Sequence, residues 1–136
     1  MMVKTSGVTT LMRVVLGILF LAHGINKFQM GLGNVSAWFE SAGTPGYLAY
    51  IAGWLEVIGG ILLIVGLFTR YISALFVVML IGAVFTMKLT AGLLGNGQMA
   101  GYELDLAYIM LAIYLIFAGP GLLSIDKVIF DNRKQA

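Results

Sequence analysis

The chain has 136 residues, 60% of them hydrophobic and only 10% charged, against about 25% charge in an ordinary soluble domain. A net charge of +2 with no basic run argues against nucleic acid as a partner. The absence of cysteine excludes disulfides, thiol redox centres, iron–sulfur ligation and cysteine zinc sites within the chain.

The first apolar stretch runs from about Val8 to Phe28 and opens on MMVK. Leu21-Ala22-His23-Gly24 loosely resembles a cleavage site, but Arg13 interrupts the apolar run, so a retained span is expected rather than a cleaved leader. Arg13, Gly17, Phe20, Gly24 and Lys27 fall on one side of this helix, with His23 at the edge of that side. Ionisable groups in hydrocarbon are costly unless they face protein or water, so that side should face inward. Its glycines would let a second backbone approach.

The connection from Gln29 to Gly46 is the longest. Asn34 is placed to cap a short helix over Val35 to Ser41, which carries Trp38 and Phe39, residues suited to the membrane–water boundary. An interfacial helix or lid is expected there. Further spans are expected over Tyr47 to Phe68, Tyr71 to Leu94 and Tyr102 to Ala118, each near the length that crosses a bilayer core. A tight turn at Thr69-Arg70 makes the middle two a hairpin, and Gly119-Pro120-Gly121 stops the last. The tail from Ile125 onward is polar and basic and is expected to fray. The fold class is therefore all-α: a single domain over residues 1–136, a four-transmembrane-helix bundle with a short interfacial helix between its first two spans. A faint repeat beginning at Arg13 and Arg70 reads as chance similarity.

Lys4, Arg13, Arg70, Lys127, Arg133 and Lys134 share one side of this topology, and Lys27 and Lys88 the other. Both termini are therefore expected in the cytoplasm of a multi-pass plasma-membrane protein.

Glu56 lies about ten residues into the second span, beside a Gly46, Gly53, Gly60 stripe. A carboxylate at that depth must be protonated, paired or solvated. It reads either as a register-setting ion pair or as a proton acceptor, with His23 and Lys27 the nearest cations by topology and a Glu56–His23 pair able to exchange protons. Glu103 and Asp105 open the last span, where acidic residues suit the helix dipole. They point about 200° apart, so they cannot face one partner, and Asp105 belongs to an inward stripe with Ala112 and Gly119. Arg13 needs a carboxylate, a lipid phosphate or the C-terminus of the fourth span, whereas Lys88 reads as a lysine snorkelling to the boundary. One histidine and scattered methionines build no metal or haem site, and no phosphate loop, dinucleotide fingerprint or hydrolase triad is present.

Taken together and in order, Arg13-x3-Gly17, Gly24-x2-Lys27-Phe28, Gly43-x-Pro45, Glu56-x2-Gly59-Gly60, Gly66-Leu67-x-Thr69-Arg70, Glu103-Leu104-Asp105 and Gly119-Pro120-Gly121 resemble the DoxX family over essentially the whole chain. The loop Phe28 to Gly33 is most similar to its catechol- and quinone-stress branch. The resemblance implies a four-helix bacterial inner-membrane protein, one linked to quinone chemistry and to ring-cleaving dioxygenases.

Three functions follow. The first is a quinone- or catechol-binding membrane component of an oxidoreductase or detoxification system. Glu56 and His23 would move protons, Arg13 and Lys27 would donate hydrogen bonds, and Phe20, Trp54, Tyr102 and Tyr108 would form walls, with Glu103 and Asp105 at the outer boundary. Such a chain holds no cofactor of its own, binds quinone as ligand, and takes electrons from a partner. The second is a scaffold for a soluble oxidoreductase or dioxygenase, and the third a small exporter of phenolic compounds that works as a homo-oligomer.

Overall fold

A computed structural model describes residues 2–97, 101–121 and 124–129. The side chains of Lys4 and Lys88, and all of Arg133, Lys134 and Gln135, lie outside what is described. The principal α-helices among the described residues are α1 (Met2–Met30), α2 (Leu32–Ser41), α3 (Tyr47–Val65), α4 (Thr69–Ala83) and α5 (Glu103–Ala118). Beyond α4 the helix widens into a π turn at Val84–Lys88 and tightens into a 3₁₀ turn at Leu89–Ala91. No strand occurs among the described residues.

Among the described residues, three helical runs are long and apolar enough to cross a membrane: Ser6–Met30, Tyr47–Val65 and Thr69–Thr86. The last helix, α5, has 16 residues, about 24 Å at 1.5 Å per residue.

Helix α2 begins at Leu32, three residues before the expected Val35, and Asn34 is not its cap. Gly31 adopts φ 91°, which turns the chain without a side-chain acceptor. The Asn34 amide instead donates to the Met30 carbonyl at 2.7 Å, satisfying the exposed end of α1.

The helices pack as two pairs, α1 on α3 and α4 on α5, while α3 and α4 touch little. The first pair is close because its contact positions are glycines. A Cβ on Gly17 would lie 2.7 Å from the Gly60 carbonyl oxygen and 2.9 Å from the Ile64 nitrogen, and one on Gly60 would lie 2.7 Å from the Leu21 nitrogen. One turn before Lys27, Gly24 meets the Val57 backbone in the same way. Only residues without a Cβ allow backbones this near in a bilayer, where packing rather than water drives helix association. The pairs join through a core in which the Phe20 and Phe76 rings stack at 3.8 Å between centroids, with Tyr108 5.4 Å from Phe20.

At the opposite end, α3 closes with a Schellman turn. Gly66 at φ 76° donates to Leu63, and the Leu67 amide reaches back to Leu62 at 2.9 Å. Phe68 follows at φ 54°, an uncommon conformation for a residue with a side chain. Asp126 holds it there: its carboxylate accepts from the Phe68 amide at 2.7 Å and the Thr69 amide at 2.9 Å. Asp126 is thus a long-range N-cap for α4. Residues 125–129 are helical and Asp126 is buried, so this part of the tail does not fray.

If backbone contact sets the α1–α3 distance, Gly17→Ala should lower stability by about 1–3 kcal/mol, the cost of overpacking. Gly82→Ala, where an added Cβ meets nothing within 4 Å, should be neutral or stabilising. Denaturant titration of both variants in one detergent checks this. Equal stability would show that the glycines are not the contact.

Candidate functional site

The close approach at Gly24 decides what Lys27 can reach. Lys27 lies almost one turn further along α1, and Glu56 immediately precedes Val57 on α3, so the two side chains meet. Lys27 Nζ donates to Glu56 Oε1 at 3.0 Å and to Oε2 at 2.7 Å. The side chains are 22% and 8% exposed. Glu56 is thus paired with Lys27, one of the two expected cations. His23, one turn deeper, has its Nε2 3.5 Å from the Tyr108 hydroxyl and its ring edge-on to the Tyr108 ring.

These groups open into one cavity of about 320 Å³, lined by Phe20, His23, Lys27, Glu56, Asp105 and Tyr108. That volume is at the lower end of small-molecule sites, roughly 300–1,000 Å³. Every helix contributes. Phe20 from α1 forms a wall at its deep end, α5 presents Asp105 and Tyr108 from one face at i, i+3, and α2 lies across the mouth with Val35, Trp38 and Phe39. Asn26 and Asn34 add amides to the lining. A molecule inside would meet aromatic faces, amide donors and an ion pair.

Four of the expected site residues stand elsewhere. Trp54 is two positions from Glu56, hence about 200° around α3, and it packs edge-on against Phe28 on the outer surface at 4.9 Å between centroids. Glu103 is related to Asp105 in the same way and is exposed at the start of α5. Tyr102 precedes α5, and its backbone amide is held by the Gly92 carbonyl.

Arg13 lies ten residues before His23 on α1, about 15 Å along the axis. It is 2% exposed and donates to the Pro120 carbonyl and, at 3.4 Å, to the Ile64 carbonyl, with Asp126 near enough to act on its charge. It thus neutralises two helix C-termini and a carboxylate, as its dipole environment favours, and plays no part in the cavity.

Asn26, Asn34, Trp38, Met79 and Leu104 also line the cavity and were not anticipated. Asn26 is one residue from Lys27 on the ionisable side of the first span, which was a usable signal. Met79 and Leu104 carried none. No group of three His, Cys, Asp or Glu side chains gathers as a metal site among the described residues.

The DoxX family model matches residues 8–89. CatD of Bacillus subtilis (strain 168), named as a candidate oxidoreductase, is 39% identical over 93% of this chain and 90% of its own length. An uncharacterised membrane protein of Mycobacterium tuberculosis is 33% identical over 85% of this chain and 77% of its own. The inner membrane protein YqjF of Escherichia coli is 29% identical over 90% of each. No solved structure matches the chain.

The ion pair makes a sharp stability prediction. Glu56→Leu leaves Lys27 without its counter-ion and should destabilise by about 3–5 kcal/mol. The double variant Lys27→Met/Glu56→Leu removes both charges and should recover most of that loss. Unfolding of Glu56→Leu, Lys27→Met and the double variant checks it. Additive losses would mean the two side chains are not coupled.

Proposed function

Because this chain belongs to the DoxX family, we propose that it is a quinone- or catechol-binding membrane component of an oxidoreductase or detoxification system. The observation that carries this reading is the convergence of the Lys27–Glu56 pair, His23, Asp105 and Tyr108 on one aromatic-walled cavity. A quinone ring is flat, apolar on its faces and edged by two carbonyls. It needs aromatic contact and a donor at each end. Phe20 and Trp38 supply faces. Lys27 and Asn26 supply donors on one side, and the Tyr108 hydroxyl beside His23 supplies one on the other. Reducing the ring consumes two electrons and two protons. The electrons come from a redox partner protein, and His23 and Glu56 are the groups here able to pass protons. The oxidoreductase name of the CatD relative agrees with this reading.

The chain is a membrane protein, and we place α5 as its fourth crossing. Its length of about 24 Å, continued by the segments flanking it, approaches the roughly 30 Å core, and it packs along α4. The end bearing Arg70 and Lys127 is assigned to the cytoplasm by the lysine and arginine balance. An impermeant thiol reagent should then label a cysteine placed at Asn96 from outside intact cells, and labelling only after lysis would reverse the orientation.

A second reading, a scaffold for a soluble oxidoreductase, rests on an open recess of about 470 Å³ at the Arg70 end, lined by Arg70, Tyr71 and Lys127 among others. The variant Lys27→Met/Glu56→Leu separates the two, since it alters the cavity and leaves this recess untouched. Cells carrying it at normal membrane abundance should lose protection against added quinone or catechol. Full protection at normal abundance would remove the ion pair from the mechanism and leave the scaffold ahead.

A further inference from the structure

The cavity has a second neighbour that the ring-binding reading does not use. A groove of about 420 Å³ runs between α3 and α4, and nearly all of its lining is apolar, with Thr44 and Thr86 at its polar edge. It exists because α3 and α4, although joined by a turn of three residues, 66–68, pack little against each other. Toward the turn, Phe76 and Ile72 pack against Gly59 beyond the groove's end. Ile51, Leu75 and Val78 leave its flank exposed where a bilayer would place acyl chains. Its inner wall is also the cavity's wall: Phe39, Ala52, Met79 and Ala83 line both. Two of these are alanines, and the methionine is flexible enough to move aside.

We propose that this groove is a lateral doorway, and that the ligand is a quinone bearing a hydrocarbon tail whose ring sits in the cavity while its tail lies in the groove. This inference rests on the quinone reading above and narrows it to a membrane-borne quinone. A water-borne catechol would enter past α2 and have no use for an apolar side channel. A tailed quinone stays anchored in hydrocarbon and needs an opening at acyl-chain depth, and the shared wall lies at the side where α3 and α4 part. Charge argues against a phospholipid with its headgroup in the cavity. The lining carries one lysine against the two carboxylates Glu56 and Asp105, which suits a neutral ring with carbonyl edges better than a phosphate.

Gly82 lines the groove but not the cavity, and a Cβ there meets nothing within 4 Å. Gly82→Phe therefore fills the groove without disturbing the backbone. Val78→Trp on the same flank is an independent obstruction, and Ile58→Phe places the same ring as Gly82→Phe at an exposed position of α3 outside the groove. Binding of a decyl-tailed benzoquinone, and of the same ring without its tail, is measured to the full chain in nanodiscs of one lipid composition. Partition into lipid is then common to every variant. Each obstruction should weaken the tailed quinone by about tenfold or more and change the tail-less ring by less than about twofold, and Ile58→Phe should change neither. Both ligands bound by the native chain and unaffected by either obstruction would overturn the doorway and leave the quinone site standing. So would an equal loss of both ligands, or a phospholipid that holds the groove undisplaced by the tailed quinone. Failure of the native chain to bind either quinone would instead overturn the proposed function, and the doorway with it.

Discussion

The contact of α1 with α3 across Gly17, Gly24 and Gly60 is the constraint on which the remainder depends. It fixes the height of one helix against the other. At that height Lys27 faces Glu56 and meets its carboxylate at 2.7 Å. An unpaired charge at this depth would cost several kcal/mol, so pairing and helix register reinforce each other. The pair is not sealed, however. Lys27 keeps some exposure, and both residues line the cavity. A pair left open to the cavity is available to a ligand.

The other end is fixed by different chemistry. Arg13 gathers the carbonyls of Pro120 and Ile64, and Asp126 caps the backbone of Phe68 and Thr69 while its own amide donates to Gly66 at 2.9 Å. These bonds tie α1, α3, α4 and the segment after α5 into one knot. With that end fixed, α3 and α4 diverge toward the other, and the divergence creates the groove. Cavity and groove are thus consequences of where the bundle is held and where it is not.

Much of this was legible in the sequence because the period of apolar residues sets helix boundaries, and because charge in hydrocarbon has few places to go. The inward face carrying Phe20, Gly24 and Lys27 was readable from spacing alone, as was the 200° separation that sends Asp105 inward and Glu103 outward. The same 200° angle separates Trp54 from Glu56 and turns it to the outer surface against Phe28. Arg13 reads as needing a carboxylate, a lipid phosphate or the C-terminus of the last span, and it reaches the carbonyls of Pro120 and Ile64, but its distance along α1 from His23 already places it too far to share a ligand. The role of Asp126 had no local signal. It sits in a stretch whose composition reads as a frayed tail, and it is ordered by backbone amides 57 and 58 positions away. Capping by a residue distant in sequence leaves no pattern in a window. The weak packing of α3 on α4 was equally hidden, since a short turn predicts close neighbours.

The central claim is that Glu56 is an ionised, ligand-accessible partner of Lys27. Infrared difference spectroscopy in the carboxyl region tests it most directly, with Glu56→Gln used to assign the band. The account predicts a carboxylate band in the ligand-free protein that is missing in Glu56→Gln and shifts when quinone is added. A protonated carboxylic acid band assigned to Glu56, unchanged by quinone, would contradict it.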